Sequence, residues 1–224
     1  MRSKSTVLLL AVVLAAAGCK SESPAPVASA PTAAPAVKAE ATAVAETPTA
    51  GDGWLDNELT NWNAPGQEIP RPKAMDVDDA TKERCNAQNR PVSSPEDNAL
   101  AAAGWKLFGP LQTFGTATMI SAMATVDAGC RPVGMQTFVF REGKFAGTVS
   151  PTAMDSQRDG AQRYAFLVGD AYFTVQFARY AKGDRACCPS RFATVAYKIK
   201  TEPQGPVLVP LTVAHEDAPP PPKS

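Results

Sequence analysis

An unusual turn in this sequence reads YAKGDRACCPS and occupies residues 180–190. Hydrophobic and polar residues alternate before it, over residues 172–180, and again after it, over residues 192–199. Alternation with a period of two is typical of half-buried β-strands. The adjacent cysteines can restrain the turn covalently, and Pro189 removes one backbone donor. The stretch therefore predicts two paired strands with a fixed connection.

Further short strands are predicted throughout the second half of the sequence. They occupy residues 116–126, 135–141, 145–149, 163–168 and 207–213. The turn at residues 141–144 places Gly143 at a left-handed position, which glycine adopts at little cost. The regular turn spacing indicates an antiparallel meander of about six strands, folded as a sandwich, as a barrel-like structure or as a sheet backed by the helix. We expect an α+β fold, mainly antiparallel β, with one or two short N-terminal helices.

The clearest helix signal lies at residues 94–104. Ser94 is a favourable N-cap, and Pro95 suits the first helical position because its missing N–H has no helical partner there. Asp97 is placed to close a reciprocal cap with Ser94. Gly104 predicts the end of the helix.

Residues 51–80 precede this helix and contain Trp54 and Trp62. The spacing of Leu55, Leu59 and Trp62 is i, i+4 and i+7, which predicts a short helix packed on the domain. Core packing is the interpretation that we favour for both tryptophans. In the alternative they are exposed and contact a partner, because aromatic residues are enriched at interfaces.

The N-terminus predicts a lipoprotein signal peptide over residues 1–18. Arg2 and Lys4 precede an apolar run that is too short to span a membrane comfortably. The sequence AAGC at residues 16–19 resembles a lipobox, in which Cys19 is lipidated and becomes the mature N-terminus. Ordinary secretory cleavage beside the same cysteine is the alternative.

The composition divides the remainder into a tether, a domain and a tail. Residues 19–51 are rich in Ala, Pro, Ser and Thr and predict a disordered tether. Residues 52–214 form the expected globular domain, and residues 215–224, with four consecutive prolines, predict a disordered tail. Lys20 stands where inner-membrane lipoproteins carry an aspartate. We therefore expect a lipid anchor in the outer membrane, with the domain facing the periplasm.

Neither the charge balance nor the candidate catalytic groups favour an enzyme or a nucleic-acid-binding protein. Lysine plus arginine equals aspartate plus glutamate, 22 of each, so no global field attracts a polyanion. The only histidine, His215, lies in the predicted tail, so a Ser-His-Asp or Cys-His site is not expected. Five acidic residues fall in predicted turns, where solvated carboxylates are usual: Asp127, Asp155, Asp159, Asp170 and Asp184. We predict no catalytic residue and no cofactor.

Four cysteines remain besides the lipidated one: Cys85, Cys130, Cys187 and Cys188. Their spacing lacks the Cys-x-x-Cys pairs that are typical of a zinc site, and the expected compartment is oxidising. We therefore predict disulfides and no metal. Adjacent cysteines on an extended chain point to opposite faces. We therefore favour bonds from Cys187 and Cys188 to Cys85 and Cys130. The alternative joins Cys187 to Cys188, and Cys85 to Cys130.

Several of these segments resemble the LppP/LprE lipoprotein family. The resemblance rests on Gly104 with Trp105, the loop at residues 127–130, the hairpin at residues 138–148, and Asp184 with residues 187–190. It covers roughly residues 85–209. It implies a lipid-anchored envelope domain, and it brings no catalytic residue with it.

We therefore predict a lipid-anchored envelope lipoprotein whose disulfide-stapled β-rich domain has a binding or structural role without catalysis. Its expected partners are the membrane, through the N-terminal lipid, and an envelope protein or polymer, but not nucleic acid. The alternative is a periplasmic or surface inhibitor of an attacking hydrolase. A projecting loop would favour the inhibitor, whereas a flat aromatic patch that includes Trp54 or Trp62 would favour a docking module.

Overall fold

The computed structural model describes residues 53–219. The predicted signal peptide, the tether and Cys19 lie outside the described residues, as does the second half of the predicted tail, residues 220–224. Their predictions stay predictions.

Short helical segments precede the strands. They are α1 (Asp79–Arg84), a 3-10 helix (Asn86–Gln88) and α2 (Pro95–Ala102). The strands are β1 (Lys106–Leu107), β2 (Gln112–Phe114), β3 (Ala117–Val126), β4 (Pro132–Arg141), β5 (Lys144–Thr148), β6 (Gln162–Phe166), β7 (Tyr172–Arg179), β8 (Arg191–Glu202) and β9 (Gly205–Asp217). The prediction of a mainly antiparallel β fold with short helices is confirmed.

The strands form two sheets with a common core, so the single-sheet and barrel-like alternatives are wrong. The first sheet has the order β1-β3-β4-β5, with β2 also paired to β3, and the second has the order β6-β7-β8-β9. The strand count of about six was also low, because β1 and β2 were not predicted. These strands have two and three residues, too few to give a periodic signal.

The first sheet is buried on both faces. Ile120 and Phe138 face α2 and pack with Leu100, whereas Met119 and Val139 face the second sheet. β4 is consequently buried over seven consecutive residues, in contrast to the alternation along β7. The main core lies between the two sheets and includes Phe173, Val175 and Phe177 of β7 and Ala193, Val195 and Tyr197 of β8.

Two carboxamide side chains join the sheets where their edges meet. Gln112 of β2 donates from Nε2 to the carbonyl of Ala165 in β6 (2.8 Å) and accepts at Oε1 from the N–H of Leu167 (3.1 Å). At the other seam, Asn63 donates from Nδ2 to the carbonyls of Thr148 at the end of β5 (3.0 Å) and Leu208 in β9 (3.1 Å). Each side chain satisfies backbone groups that no strand reaches.

The contact with Asn63 also explains why residue 147 is a glycine. Gly147 has φ +144, and a Cβ atom there would overlap the Asn63 carboxamide. The carboxamide oxygen of Asn63 also accepts from the N–H of Thr148 at 2.9 Å. The absence of a side chain at Gly147 therefore leaves room for the Asn63 carboxamide. This group bonds the backbone of Thr148, where a neighbouring strand would otherwise pair with β5.

The helix predicted across Leu55, Leu59 and Trp62 does not form. Residues 53–57 make a turn, with the N–H of Asp56 bonded to the carbonyl of Gly53, and the following residues have no regular structure. Asn57 also donates its side-chain amide to the Gly53 carbonyl (2.8 Å). Side-chain bonds of this kind compete with a helical backbone, which is why the apolar spacing misled the prediction.

The helix α2 forms as predicted, but its cap differs. The hydroxyl of Ser94 accepts from the N–H of Asp97 (3.1 Å), as expected for the N-cap. The Asp97 carboxylate, however, accepts from the N–H of Ser93 (2.9 Å) and from the Arg90 guanidinium (2.6 and 2.7 Å). Asp97 therefore accepts from the backbone of Ser93 and not from that of Ser94 as predicted, and Arg90 also contributes to the cap.

The last strand is longer than predicted. β9 continues to Asp217, where it pairs with Arg191 of β8. The boundary of the globular domain therefore lies beyond residue 214, and His215 lies in a strand, opposite Ala193. Residues 220–224 lie outside the described part of the chain.

Candidate functional site

The disulfides follow the alternative pairing and not the one that we favoured. Cys85 bonds Cys130, with Cα atoms 5.1 Å apart, and Cys187 bonds Cys188. Cys85 and Cys130 pack with Met123 and Val126 at one end of the first sheet. The two adjacent cysteines lie in the β7–β8 connection of the second sheet. The prediction that Cys187 and Cys188 bond Cys85 and Cys130 is therefore wrong.

The connection at residues 180–190 is a closed, well-bonded loop. The carboxylate of Asp184 accepts from the N–H groups of Ala181 (2.7 Å) and Ser190 (2.9 Å), at the two ends of the loop. These backbone bonds lower the pKa of Asp184 below its usual value. Tyr180 donates its hydroxyl to the carbonyl of Ala186 at 2.7 Å. The loop thus presents the exposed Cys187–Cys188 disulfide on a fixed backbone.

Both predicted contact tryptophans pack against the core. Trp54 makes edge contacts with Trp62 and with Phe177 of β7, each with ring centroids 5.1 Å apart. Trp62 donates its indole N–H to the carbonyl of Thr148 (3.0 Å). Neither ring is fully exposed, but Trp54 also lines a groove on the surface. A partner contact at these two residues stays a prediction.

That groove has a volume of about 720 Å³ and lies between the extended segment at residues 70–75 and the loop at residues 151–160. Its apolar lining includes Trp54, Trp105, Met75 and Met154. Trp105 is held in place by an indole N–H bond to the carbonyl of Pro70 (2.6 Å) and by an edge contact with Phe138. A groove of this size, lined by aromatic and thioether groups, can take a peptide side chain or a small ligand.

One wall of the groove is bonded to β4. The backbones of Met135 and Met154 exchange two hydrogen bonds (2.6 and 2.8 Å). The Asp155 carboxylate accepts from the N–H of Gly134 at 2.9 Å. Gly134 has φ +61, and a Cβ there would lie 2.9 Å from the Cβ of Ala124 and 3.1 Å from the methyl of Met75. The sequence signal for this wall was only a polar loop, so the groove was not predicted.

The end of the groove near Trp54 is held by a three-residue ionic cluster. Arg179, only 8% exposed, bonds Asp56 with two nitrogens (2.9 and 2.6 Å) and Asp159 through Nε (3.2 Å). Asp159 also accepts from the N–H of Tyr180 (2.6 Å). The bond with Arg179 lowers the pKa of Asp56 and raises that of the arginine. Arg179 thus bridges two carboxylates, and its bond with Asp56 holds the segment that carries Trp54 to β7.

The five predicted acidic candidates have separate structural roles. Asp155 and Asp159 line the groove, but each accepts from protein donors. Asp127 bonds Arg131 (2.6 Å) in the β3–β4 turn. Asp184 closes the loop described above, and Asp170 lies beside Gly115 at a turn. The structure therefore brings two of the five to one groove and leaves the other three apart.

Two cations lie on the rim of the groove without a salt-bridge partner among the described residues. Arg71 and Lys73 are exposed on its rim, and neither has a carboxylate partner in the part of the chain that the structure describes. Asp155 and Asp159 also line the groove; Asp155 accepts from the N–H of Gly134, and Asp159 from Arg179 and the N–H of Tyr180. The arrangement suits a ligand that combines an apolar group with a negative charge.

The described residues contain neither a candidate metal site nor a helix that could span a membrane. Within residues 53–219, no group of three or more His, Cys, Asp and Glu side chains is arranged to hold a metal ion. The helices of the same residues are all too short or too polar to cross a membrane.

The β-rich part of the chain matches a known protein family. Residues 115–202 match the LppP/LprE lipoprotein family. The predicted resemblance is therefore confirmed, over a shorter range than expected. Neither the curated proteins nor the solved structures gave a match. The family indicates a lipid-anchored protein of the cell envelope.

The LppP/LprE segment runs from the start of β3 to the end of β8. It includes Cys130, the Cys187–Cys188 loop and the groove wall at residues 151–160. Trp54 and the cations of the groove rim precede it. The groove is thus built partly from the family segment and partly from residues that lie before it.

Proposed function

We propose that the chain is a lipid-anchored envelope protein whose domain is a non-catalytic binding module. Its ligand would be an extended segment of an envelope partner, bearing an apolar side chain and a negative charge, held in the groove between residues 70–75 and 151–160. The observation that carries this proposal is the groove itself, with Trp54, Trp105 and the exposed cations Arg71 and Lys73, which form no salt bridge within residues 53–219. The lipid is proposed to lie in the outer membrane, with the domain in the periplasm, because Lys20 follows Cys19.

Two further observations support a binding role over a catalytic one. The carboxylates at the groove accept hydrogen bonds from the backbone or from Arg179, so they are engaged in holding the fold. His215, the only histidine of the chain, lies in β9. A general base would need a free group facing the ligand.

A crosslinked pull-down from intact cells tests the proposal. The full-length lipidated protein serves as bait, beside the variant Arg71→Glu/Lys73→Glu. Reversing two rim charges should reduce the amount of captured partner roughly tenfold, because an anionic group would then be repelled. The matched control, Lys106→Glu/Lys144→Glu, changes the net charge equally on the first sheet. Equal loss in both variants would count against the groove, as would no loss in either.

A hydrolase inhibitor is the second candidate, and the loop at residues 180–190 favours it. Asp184 and the Cys187–Cys188 bond hold this loop in one conformation, and pre-organised loops lose little entropy on binding. Envelope hydrolases should then be inhibited by the wild type and much less by Asp184→Ala. Inhibition that is insensitive to Asp184→Ala, or none against any envelope hydrolase, would exclude this candidate.

A further inference from the structure

The second sheet leaves one of its faces uncovered. Phe173, Val175 and Phe177 of β7 point into the core, so the alternate residues point away from it. On that outer face, Tyr164 and Phe166 of β6 and Tyr172 of β7 are 50%, 60% and 52% exposed. Large exposed aromatic groups gathered on one surface are typical of interaction sites.

The strand register shows that these rings form one continuous surface. Tyr164 lies directly opposite Gln176, Phe166 opposite Thr174, and Tyr172 opposite Lys198. The rings of Tyr164 and Phe166 are nearly parallel, at 14°, with centroids 6.1 Å apart. Thr174 separates Tyr172 from Gln176 along β7. The surface, called the aromatic face below, therefore alternates ring faces with hydrogen-bonding side chains.

Two cations lie over these rings. The Lys198 ammonium is 5.0 Å from the centre of the Tyr172 ring. The Arg163 guanidinium is 5.5 Å from the Tyr164 ring and 5.0 Å from the Phe192 ring. Neither cation forms a salt bridge with any residue between 53 and 219. Contact with a ring orients a cation but does not neutralise its charge.

One carboxylate also lies on this face, opposite Phe192, and forms no salt bridge with either cation. Glu216 at the end of β9 accepts from Gln176 (2.8 Å) and lies within 3.5 Å of the Thr194 hydroxyl. The positions of Tyr172 and Gln176, which mark the two cation sites, are four residues apart along β7, on the order of 14 Å. Two positive charges at that separation, with rings between them, suit a polymer that carries repeated negative charges more than a single small anion.

We propose that the aromatic face binds an acidic glycan strand. The apolar faces of the sugar rings would stack on Tyr164, Phe166 and Tyr172, and sugar carboxylates would pair with Lys198 and Arg163. Thr174 and Gln176 would bond the hydroxyl groups. Lys198 beside Tyr172 argues against a protein partner, because lysine is depleted at protein interfaces. This surface is separate from the groove and goes beyond the function proposed for it.

Binding to polygalacturonate tests the proposal, with dextran as the neutral polymer and single-stranded oligothymidylate as a non-glycan polyanion. The full chain is purified in detergent, and retardation is measured in gels that contain each polymer. We expect retardation by polygalacturonate alone. Tyr172→Ala and Lys198→Gln should each weaken it about tenfold, since each removes a stacking or charged contact. Both side chains are at the surface, so the fold should tolerate the changes.

Matched variants complete the test. Val92→Ser removes an exposed apolar group outside the face, and Lys144→Gln removes a cation from the first sheet; both should bind as the wild type does. The groove variant Arg71→Glu/Lys73→Glu should also bind normally, which separates this proposal from the preceding one. Equal retardation by dextran, stronger retardation by oligothymidylate, no retardation by any polymer, or equal loss in the controls would each overturn the proposal.

Discussion

Asp97 shows how one side chain can supply much of a local structure. Its carboxylate is fully buried at the start of α2 and accepts from Arg90 and from the backbone and hydroxyl of Ser93. The Arg90 guanidinium, together with the Ser93 donors, lowers its pKa from 3.8 to about 2, although burial opposes the shift. The charged form is therefore part of the folded state.

Asp97→Asn should lower the free energy of unfolding at neutral pH by about 2 kcal/mol, as a depressed pKa of this size implies. Because the folded pKa is below the unfolded value, the stabilisation is present above about pH 4 and is lost as the pH falls towards 2. Denaturant unfolding from pH 7 to pH 2 measures both effects. The wild type and the variant should converge at the acidic end. A constant difference across the range would contradict the assignment.

The second prediction at this scale concerns the adjacent cysteines. Non-reducing peptide mapping should recover Cys187 and Cys188 bonded to each other in one peptide, and Cys85 bonded to Cys130. Peptides that join Cys187 or Cys188 to Cys85 or Cys130 would contradict the structure. Alternation along a strand misled the earlier expectation, because residues 187 and 188 lie in a turn, where the backbone of Cys188 bonds Arg185.

At the scale of elements, the seven longer strands could be predicted from sequence because each is long enough to repeat its pattern. The assignment of those strands to two sheets could not. Sheet membership depends on which edges meet, and here the edges meet through Gln112 and Asn63. A single polar residue produces no repeating pattern in the sequence, so neither residue could be recognised in advance as a link between the sheets. The groove was missed for a similar reason, since its walls come from segments that are separated by about 80 residues.

Gln112→Ala tests the role of the carboxamide at one seam. The change leaves the carbonyl of Ala165 and the N–H of Leu167 without a protein partner, which should cost about 1 to 3 kcal/mol. Hydrogen exchange should accelerate at the amide of Leu167. Thr113→Ala, at the next residue of β2 and exposed, is the control and should leave that amide protected. Unchanged exchange in Gln112→Ala would show that the seam does not depend on this side chain.

At the scale of the whole molecule, the LppP/LprE match indicates a lipid-anchored protein, and the lipobox-like sequence predicts that Cys19 carries the lipid. The anchor is testable by itself. Cys19→Ser should move the protein from the membrane fraction to the soluble periplasmic fraction, because diacylation requires the cysteine. Globomycin should cause a larger, unprocessed form of the wild type to accumulate. Unchanged membrane fractionation of Cys19→Ser would refute lipidation at this residue.

The central claim is that the groove beside Trp54 and Trp105 is the ligand site. Site-specific photo-crosslinking in intact cells tests it most directly, with a photoreactive phenylalanine in place of Met75, which lines the groove and is 37% exposed. The same group at Val92, 45% exposed and outside the groove, is the control. We expect a discrete adduct at position 75 that is lost when Arg71→Glu/Lys73→Glu is added, and no adduct at position 92. An adduct of equal yield at both positions, no adduct at position 75, or one that survives the charge reversal would contradict the claim.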